Sequence, residues 1–298
     1  MDIQQLIEID SYQALILAID LAVAMVLLVG IKFISGVISG VNATDELAEK
    51  DNPAFGISVA GVGFGVTIML TGVMAGEASA DLVSELVLVA GYGALGIVLM
   101  SVTRFIFDRI SMPGFSVSAS IKEGNIAAAI LDAGNVIATA IIIRSIMVWL
   151  DADTFVGVAM VIGGYLISQL ILSIASLYRL KLFSKRHGKS MQEAFEGGNV
   201  AAAWRFTGFR IGVALAITAT SGLVPYKSEG LAVVAITWIV VALSMMAVLS
   251  ILSFVMEKVV LAKIDTRDEV DVQANIAIGV IQCAFTVGVG ILLAALAN

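Results

Sequence analysis

Gly124-Asn125-Ile126-Ala127-Ala128-Ala129-Ile130-Leu131-Asp132-Ala133-Gly134 places an Asn at the head of an apolar run rich in small residues. The wording returns. An Asn followed two positions later by Ala also stands at Asn52/Ala54, Asn199/Ala201 and Asn275/Ala277, at successive intervals of 73, 74 and 76 residues. A constant spacing of this size marks an internal repeat, so the chain reads as one unit copied four times. Gly91-Tyr92 and Gly164-Tyr165, again 73 apart, keep the same register. Function should therefore be sought in what the copies build together.

Composition sets the class. The 298 residues are 59% hydrophobic and 14% charged, with a mean hydropathy of +1.02, more apolar surface than a soluble domain of this length can hide. Eight stretches reach the roughly 20 apolar residues that a bilayer crossing takes. They are 13–36, 53–75, 82–105, 125–150, 154–178, 199–223, 230–256 and 275–297. The expected fold is an all-α integral membrane protein with a single membrane domain over 1–298 and repeats at 13–76, 82–150, 154–223 and 230–298. No cleavable signal peptide is expected, because the first twelve residues are polar and acidic ahead of a full-length apolar run. The one cysteine, Cys283, excludes an intrachain disulfide and argues against a thiolate metal site.

Thirteen of the seventeen Lys and Arg flank or occupy the segments joining spans 1–2, 3–4, 5–6 and 7–8, and only Lys227 lies on the opposite side. The positive-inside rule places those segments in the cytoplasm and both termini outside. Because a two-span unit returns the chain to its starting side, all four repeats share one orientation, unlike inverted-repeat transporters. Their pseudo-symmetry axis is expected along the membrane normal. The joining segments are not pure coil: Phe115, Val117, Ala119 and Ile121 alternate before Glu123, and Met191–Phe195 reads as a helical turn at the interface.

Glu123-Gly124-Asn125-Ile126-Ala127-Ala128-Ala129-Ile130 with Gly134, and Gly198-Asn199-Val200-Ala201-Ala202-Ala203 with Gly208, resemble the hallmark of the YjfL-like bacterial inner-membrane proteins. That family is catalogued as domain of unknown function 350. The resemblance covers nearly the whole chain, with weaker versions of the motif at Asn52 and Asn275. Smaller members of the family carry two such two-span units, so this chain would carry four. The resemblance implies a bacterial plasma-membrane location and an envelope-stress context beside phage-shock-type membrane-remodelling proteins. It supplies no activity.

Two readings attach to the repeated Asn52, Asn125, Asn199 and Asn275. Asn is a favoured N-cap whose side-chain oxygen takes an orphan N–H at a helix start; alternatively, four carboxamides ring a cytoplasmic mouth and offer polar ligands to an ion or solute. Asn52-Pro53-Ala54 spells the aquaporin tripeptide, but it opens a full span rather than a half-helix. Downstream, Gly61 with Gly65 and Gly208 with Gly212 are small-xxx-small pairs that let helix backbones approach, and Gly134 shares their repeat position. The fourth repeat has Ala284 there. A tight inner ring of even-numbered spans is the expected result.

Ionisable residues inside spans are costly, roughly 2.5–3.5 kcal/mol or more at the bilayer centre, and normally face protein or water. Three acids, Asp20, Glu85 and Asp132, balance three bases, Arg144, Arg205 and Arg210. At about 1.5 Å per residue, Asp132 and Arg205 lie at a similar depth of about 9–10 Å, and Arg210 lies about 16 Å in. The expected pairs are Asp132 with Arg205 and Arg210 with Asp20, while Arg144, near the outer interface, either snorkels or meets Glu85. Such pairs either fix which helices meet or form an ion path, with Asp20 and Asp132 as binding carboxylates and Arg210 as the gating charge.

The outer surface gathers Asp2, Glu8, Asp10, Glu77, Asp81, Asp151, Asp153 and Glu229, read as solvated helix caps or as a cation funnel. The basic run Arg179, Lys181, Lys185, Arg186 and Lys189 fits topology and anionic lipid. One His and one Cys make no usual haem, zinc or copper site. No phosphate loop or nucleophile elbow is present, and a net charge of −7 gives no support to nucleic-acid binding. No cofactor is expected, and the chain does not read as an enzyme. The leading expectation is a channel or transporter for a small ion or solute, embedded in the lipid bilayer. The competing one is a non-transporting scaffold that recruits a cytoplasmic stress or membrane-remodelling protein. Four repeats either complete a ring within one chain or leave it to associate as a homo-oligomer.

Overall fold

The structure, a computed structural model, describes residues 11–75, 81–150, 155–227 and 230–297. Eight helices in it are long and apolar enough to cross a membrane, and no strand occurs among the described residues. They are α1 (Ser11–Ser39), α2 (Pro53–Val73), α3 (Leu82–Ile106), α5 (Ile126–Trp149), α6 (Phe155–His187), α8 (Val200–Leu223), α9 (Leu231–Val260) and α10 (Ile276–Ala297). Two short helices, α4 (Val117–Lys122) and α7 (Met191–Glu196), precede α5 and α8. Single π-helical turns, Asp45–Glu49 and Asp268–Val272, stand in the same places before α2 and α10. The chain is a multi-span, all-α membrane protein. Helix α6 runs well past residue 178 because nothing breaks it before Gly188, whose φ is +66°.

Each inner helix starts by the same device. The residue before the Asn turns left-handed, with φ of +45° at Asp51, +82° at Gly124, +78° at Gly198 and +54° at Ala274. The Asn then caps: its Oδ1 accepts the N–H of Phe55, Ala128, Ala202 or Ala277 at 2.9–3.1 Å. Its amide Nδ2 reaches further. Asn52 donates to the Ile121 carbonyl, Asn125 to that of Phe195 and Asn199 to that of Val270, at 2.9–3.0 Å. One side chain therefore both starts a helix and clips it to the interfacial segment of the next repeat.

Helices α2, α5, α8 and α10 lie side by side in that order, and α10 does not return to pack against α2. The expected closed ring is thus an open row. Helix α3 lies against α2 and α5, α6 against α5 and α8, α9 against α8 and α10, and α1 against α2 and α3 at one end. The glycines of the inner helices let the next helix approach closely. A Cβ on Gly61 would stand 2.4 Å from Ala133 Cβ, one on Gly134 2.3 Å from Thr207 Cγ2, and one on Gly208 2.5 Å from Cys283 Cα. In each case the ninth residue after one Asn meets the eighth after the next. Gly65 and Gly212 extend the contact, towards Val136 and Thr286. The capped ends are sealed by a second apolar cluster in which Phe195 stacks with Phe115 and Phe206 at centroid distances of 6.1 and 5.8 Å.

Candidate functional site

The intramembrane charges are paired otherwise than depth alone suggests. Asp132 on α5 accepts from Arg104 Nε at 2.9 Å and from Ser58 Oγ at 2.6 Å, and Arg104 Nη2 bridges both the carboxylate and Ser58. Arg205 on α8 pairs with Asp271, which also holds His187 at 3.0 Å. Asp132 and Arg205 do not meet because of azimuth: the sixth residue after each Asn faces the following helix, and the seventh faces the preceding one. Ser58 and Asp132 are such a sixth–seventh couple; Arg205 faces α10, whose seventh residue is Gln282.

Arg210 is 1% exposed, donates to Ser176 Oγ and Asn135 Oδ1 at 2.6 Å each, and has its Cζ 4.6 Å from the Phe107 ring centroid. Asp20 lies on α1, two helices of the row away, so the expected pair does not form. Instead, buried Asp20 lies near buried Glu85 on α3. Arg144 donates to Thr71 Oγ1 at 2.9 Å rather than meeting Glu85. Of the outer acids, Asp81 caps α3 through Val83 and Ser84, and these hydrogen bonds hold its carboxyl below the usual range. Asp2, Glu8, Asp10, Glu77, Asp151, Asp153 and Glu229 lie outside the described residues.

Where the first half places Arg104 across Ser58 and Asp132, the second half has an open space. A cleft of about 1010 Å³ opens between α6, α8, α9 and α10 at the end that carries α7. Arg205 and Gln282 line it, at the positions of Ser58 and Asp132, and α9 contributes Ser250, Ser253 and Phe254. Ser253 Oγ and Gln282 Oε1 are buried polar atoms without a hydrogen-bond partner among the described residues. The lining is mixed: apolar Leu182, Leu249 and Phe209 stand beside the cations Arg179, Arg186, Lys258, Lys263 and Arg267. Arg179 stacks its guanidinium 4.0 Å above Phe209. None of these five cations is in an ion pair among the described residues. Neither Asp132 nor Arg210 lines the cleft.

Six Arg and Lys line the cleft against four carboxylates, Glu257, Asp265, Asp268 and Asp271, and each acid is engaged: Asp271 by Arg205 and His187, Glu257 by Thr266, Asp265 by the backbone N–H groups of Arg267 and Asp268, and Asp268 by Gln273. Among the described residues no cluster of three His, Cys, Asp or Glu is placed to hold a metal.

A family model described as Domain of Unknown Function (DUF350) matches residues 8–147 and again 150–297. The chain belongs to this family. Each match takes in four long helices, α1, α2, α3 and α5 in one and α6, α8, α9 and α10 in the other. The two DUF350 halves therefore differ at one matching place: a plugged, ion-paired contact in the first and a basic cleft in the second. No curated protein and no solved structure matches the chain.

The cleft was only partly visible in sequence. Arg205 stands out as a charge inside a span, and Arg179 and Arg186 as part of a basic run. Gln282, Ser253 and Asp271 carry no such signal, since uncharged polar residues are common in membrane helices and Asp271 sits in a joining segment. Arg104, read as a flanking base, reaches back to Asp132.

Proposed function

We propose that the chain is a transporter or channel for a small solute, and that this solute carries an anionic, phosphate- or carboxylate-type group on an apolar body. The observation that carries the reading is the cleft, in which five cations outside any ion pair among the described residues stand beside apolar side chains, and two buried polar atoms have no hydrogen-bond partner among those residues. Clefts lined by cations raise the local concentration of anions, and guanidinium groups grip phosphate and carboxylate through paired N–H donors. On the distribution of its basic residues, this end faces the cytoplasm of a bacterial plasma membrane. An anionic lipid head from the adjacent leaflet and a soluble phosphate ester share the required chemistry. Asp132 is not proposed as an ion-binding carboxylate, because Arg104 and Ser58 already occupy it.

The test is binding followed by flux. Purified protein is titrated with phosphatidylglycerol and with a soluble alkyl phosphate, then reconstituted with a gradient of whichever binds. Wild type binding at least tenfold tighter than Arg179→Gln/Lys258→Gln supports the cleft. Saturation by lipid alone identifies a headgroup; saturation by both identifies the soluble ester. Binding that is indifferent to ligand charge and to both substitutions refutes it. The paired state of Arg104–Asp132 and Arg205–Asp271 favours a second reading, a non-transporting scaffold that docks a peripheral remodelling protein. Ligand binding without flux under any gradient would select it.

A further inference from the structure

The row of inner helices ends in two half-interfaces that complement each other. At its three internal junctions one helix presents the second, ninth and seventeenth residues after its Asn. In the first three repeats these are buried: Ala54, Ala127 and Ala201 are fully covered, as are Met69, Ile142 and Ala216. On α10 the same positions are open. Ala277 and Ala284 are exposed, and Leu292 is 62% exposed.

At the other end, α2 shows the receiving face uncovered. Its eighth residue, Ala60, is exposed, while Thr207 and Cys283 at that position are buried beneath Gly134 and Gly208. A Cβ on Gly63 of this face would meet nothing within 4 Å.

The interfacial clip is also half-made at both ends. Asn125 and Asn199 donate to the carbonyls of Phe195 and Val270, and Asn52 to Ile121, whose side chains are 0%, 0% and 5% exposed. The matching residue before the first Asn is Leu47, 37% exposed. Asn275 donates to Glu269, as Asn52 does to Glu46, but has no second acceptor among the described residues.

We propose that a second copy of this chain docks here, head to tail, its α2 seated on α10 of the first. In that seating Asn275 Nδ2 donates to the Leu47 carbonyl, Ala284 lies against Ala60, and Leu47 is covered as its three counterparts are. The occupant is a second copy because the contact continues an interface that the chain already makes three times, with the same repeat positions meeting and Ala284 standing where the internal junctions have Gly. Lipid could cover the small residues, but it supplies no backbone at close range and no carbonyl for Asn275. Such a contact is heterologous, so it propagates into a closed ring or an open row of copies.

The test uses the full chain in native membranes, with Cys283→Ala as background. One population carries Ala60→Cys and the other Ala284→Cys, and the two are co-expressed and oxidised. Disulfides need Cβ atoms about 3.5–4.5 Å apart; at the internal ninth–eighth contacts a Cβ would stand only 2.4–2.9 Å from its neighbour's Cβ, and a junction opened to admit the Ala284 methyl group brings the pair towards disulfide range. The expected result is a covalent dimer only when both variants are present, and a ladder when one chain carries both. Leu170→Cys, 60% exposed on α6, reports random collision. Ala284→Phe, on an exposed face where the fold has room, should halve or further reduce the mass in lipid nanodiscs. Absence of the mixed dimer, a dimer from Ala284→Cys alone, or Leu170→Cys crosslinking equally well would each overturn the proposal.

Discussion

Replacing Asp132 by Leu, Arg104 by Met, and both together separates a structural ion pair from a functional carboxylate. Three helices converge there: α2 supplies Ser58, α3 Arg104 and α5 Asp132, with side-chain exposures of only 13% and 6% for the two ions. Either single substitution leaves one desolvated charge with Ser58 as its remaining partner, and breaking a buried pair in this way costs about 3–5 kcal/mol. The double substitution removes both desolvation penalties and restores comparable volume, so its stability should fall within about 1–2 kcal/mol of wild type. The coupling between the two sites is then at least about 3 kcal/mol, at the upper end for touching residues. Denaturant titration in mixed micelles, followed by far-ultraviolet circular dichroism, measures all three. Single variants within about 1 kcal/mol of wild type, or additive effects in the double, would refute the reasoning. Anion binding at the cleft should survive in the double variant, because neither residue lines it.

The remaining expectations concern helix packing and starts. Gly134→Ala should destabilise by about 1–3 kcal/mol, since its Cβ would overlap Thr207, whereas Gly63→Ala gains up to about 1 kcal/mol of helix propensity; melting in detergent compares them. Asn199→Ala removes both the cap and the bond to Val270 and should cost about 1–3 kcal/mol, more than Asn275→Ala, which has no clip to lose within the chain. Ala274→Gly should stabilise by about 1 kcal/mol, because Ala there holds a φ of +54°; the reverse change, Gly198→Ala, should destabilise by as much. Hydrogen bonds from Lys50 and Asn52 hold the Glu46 carboxyl below its ordinary value of 4.5, so its contribution is fully present above that value and is lost as pH falls through the lowered one. Glu46→Gln should remove that acid limb from the stability profile and leave the rest of the profile unchanged.

How much of this was legible in the sequence depends on which coordinate a residue type reports. Repeat spacing gave the order of the helices, hydropathy their spans, and Asn followed by small residues both the caps and the packed face. Depth along a helix follows from counting, which is why Asp132 and Arg205 were placed at similar levels. Azimuth does not follow from counting one helix alone. It depends on which side the next repeat occupies, and a shift of one residue turns a side chain by about 100°. Ser58 and Asp132 differ by one position within the repeat and therefore face each other; Asp132 and Arg205 differ by the same amount in the opposite sense and face apart.

Whether the row closes was equally hidden, since four similar repeats are compatible with a ring or a line. The chain nevertheless marks its own ends. Ala284 stands where three glycines stand in the other repeats, and it can do so because no fourth neighbour within the chain presses on it. A second copy seated there must accommodate one methyl group more than the internal junctions do. The intermolecular contact should therefore be looser than the internal ones, and Ala284→Gly should tighten it. In the disulfide experiment, moved to a Cys pair that leaves position 284 free, Ala277→Cys with Gly56→Cys, the Ala284→Gly background should raise the crosslinked fraction. An unchanged or lower fraction would refute a contact that packs position 284 against Ala60.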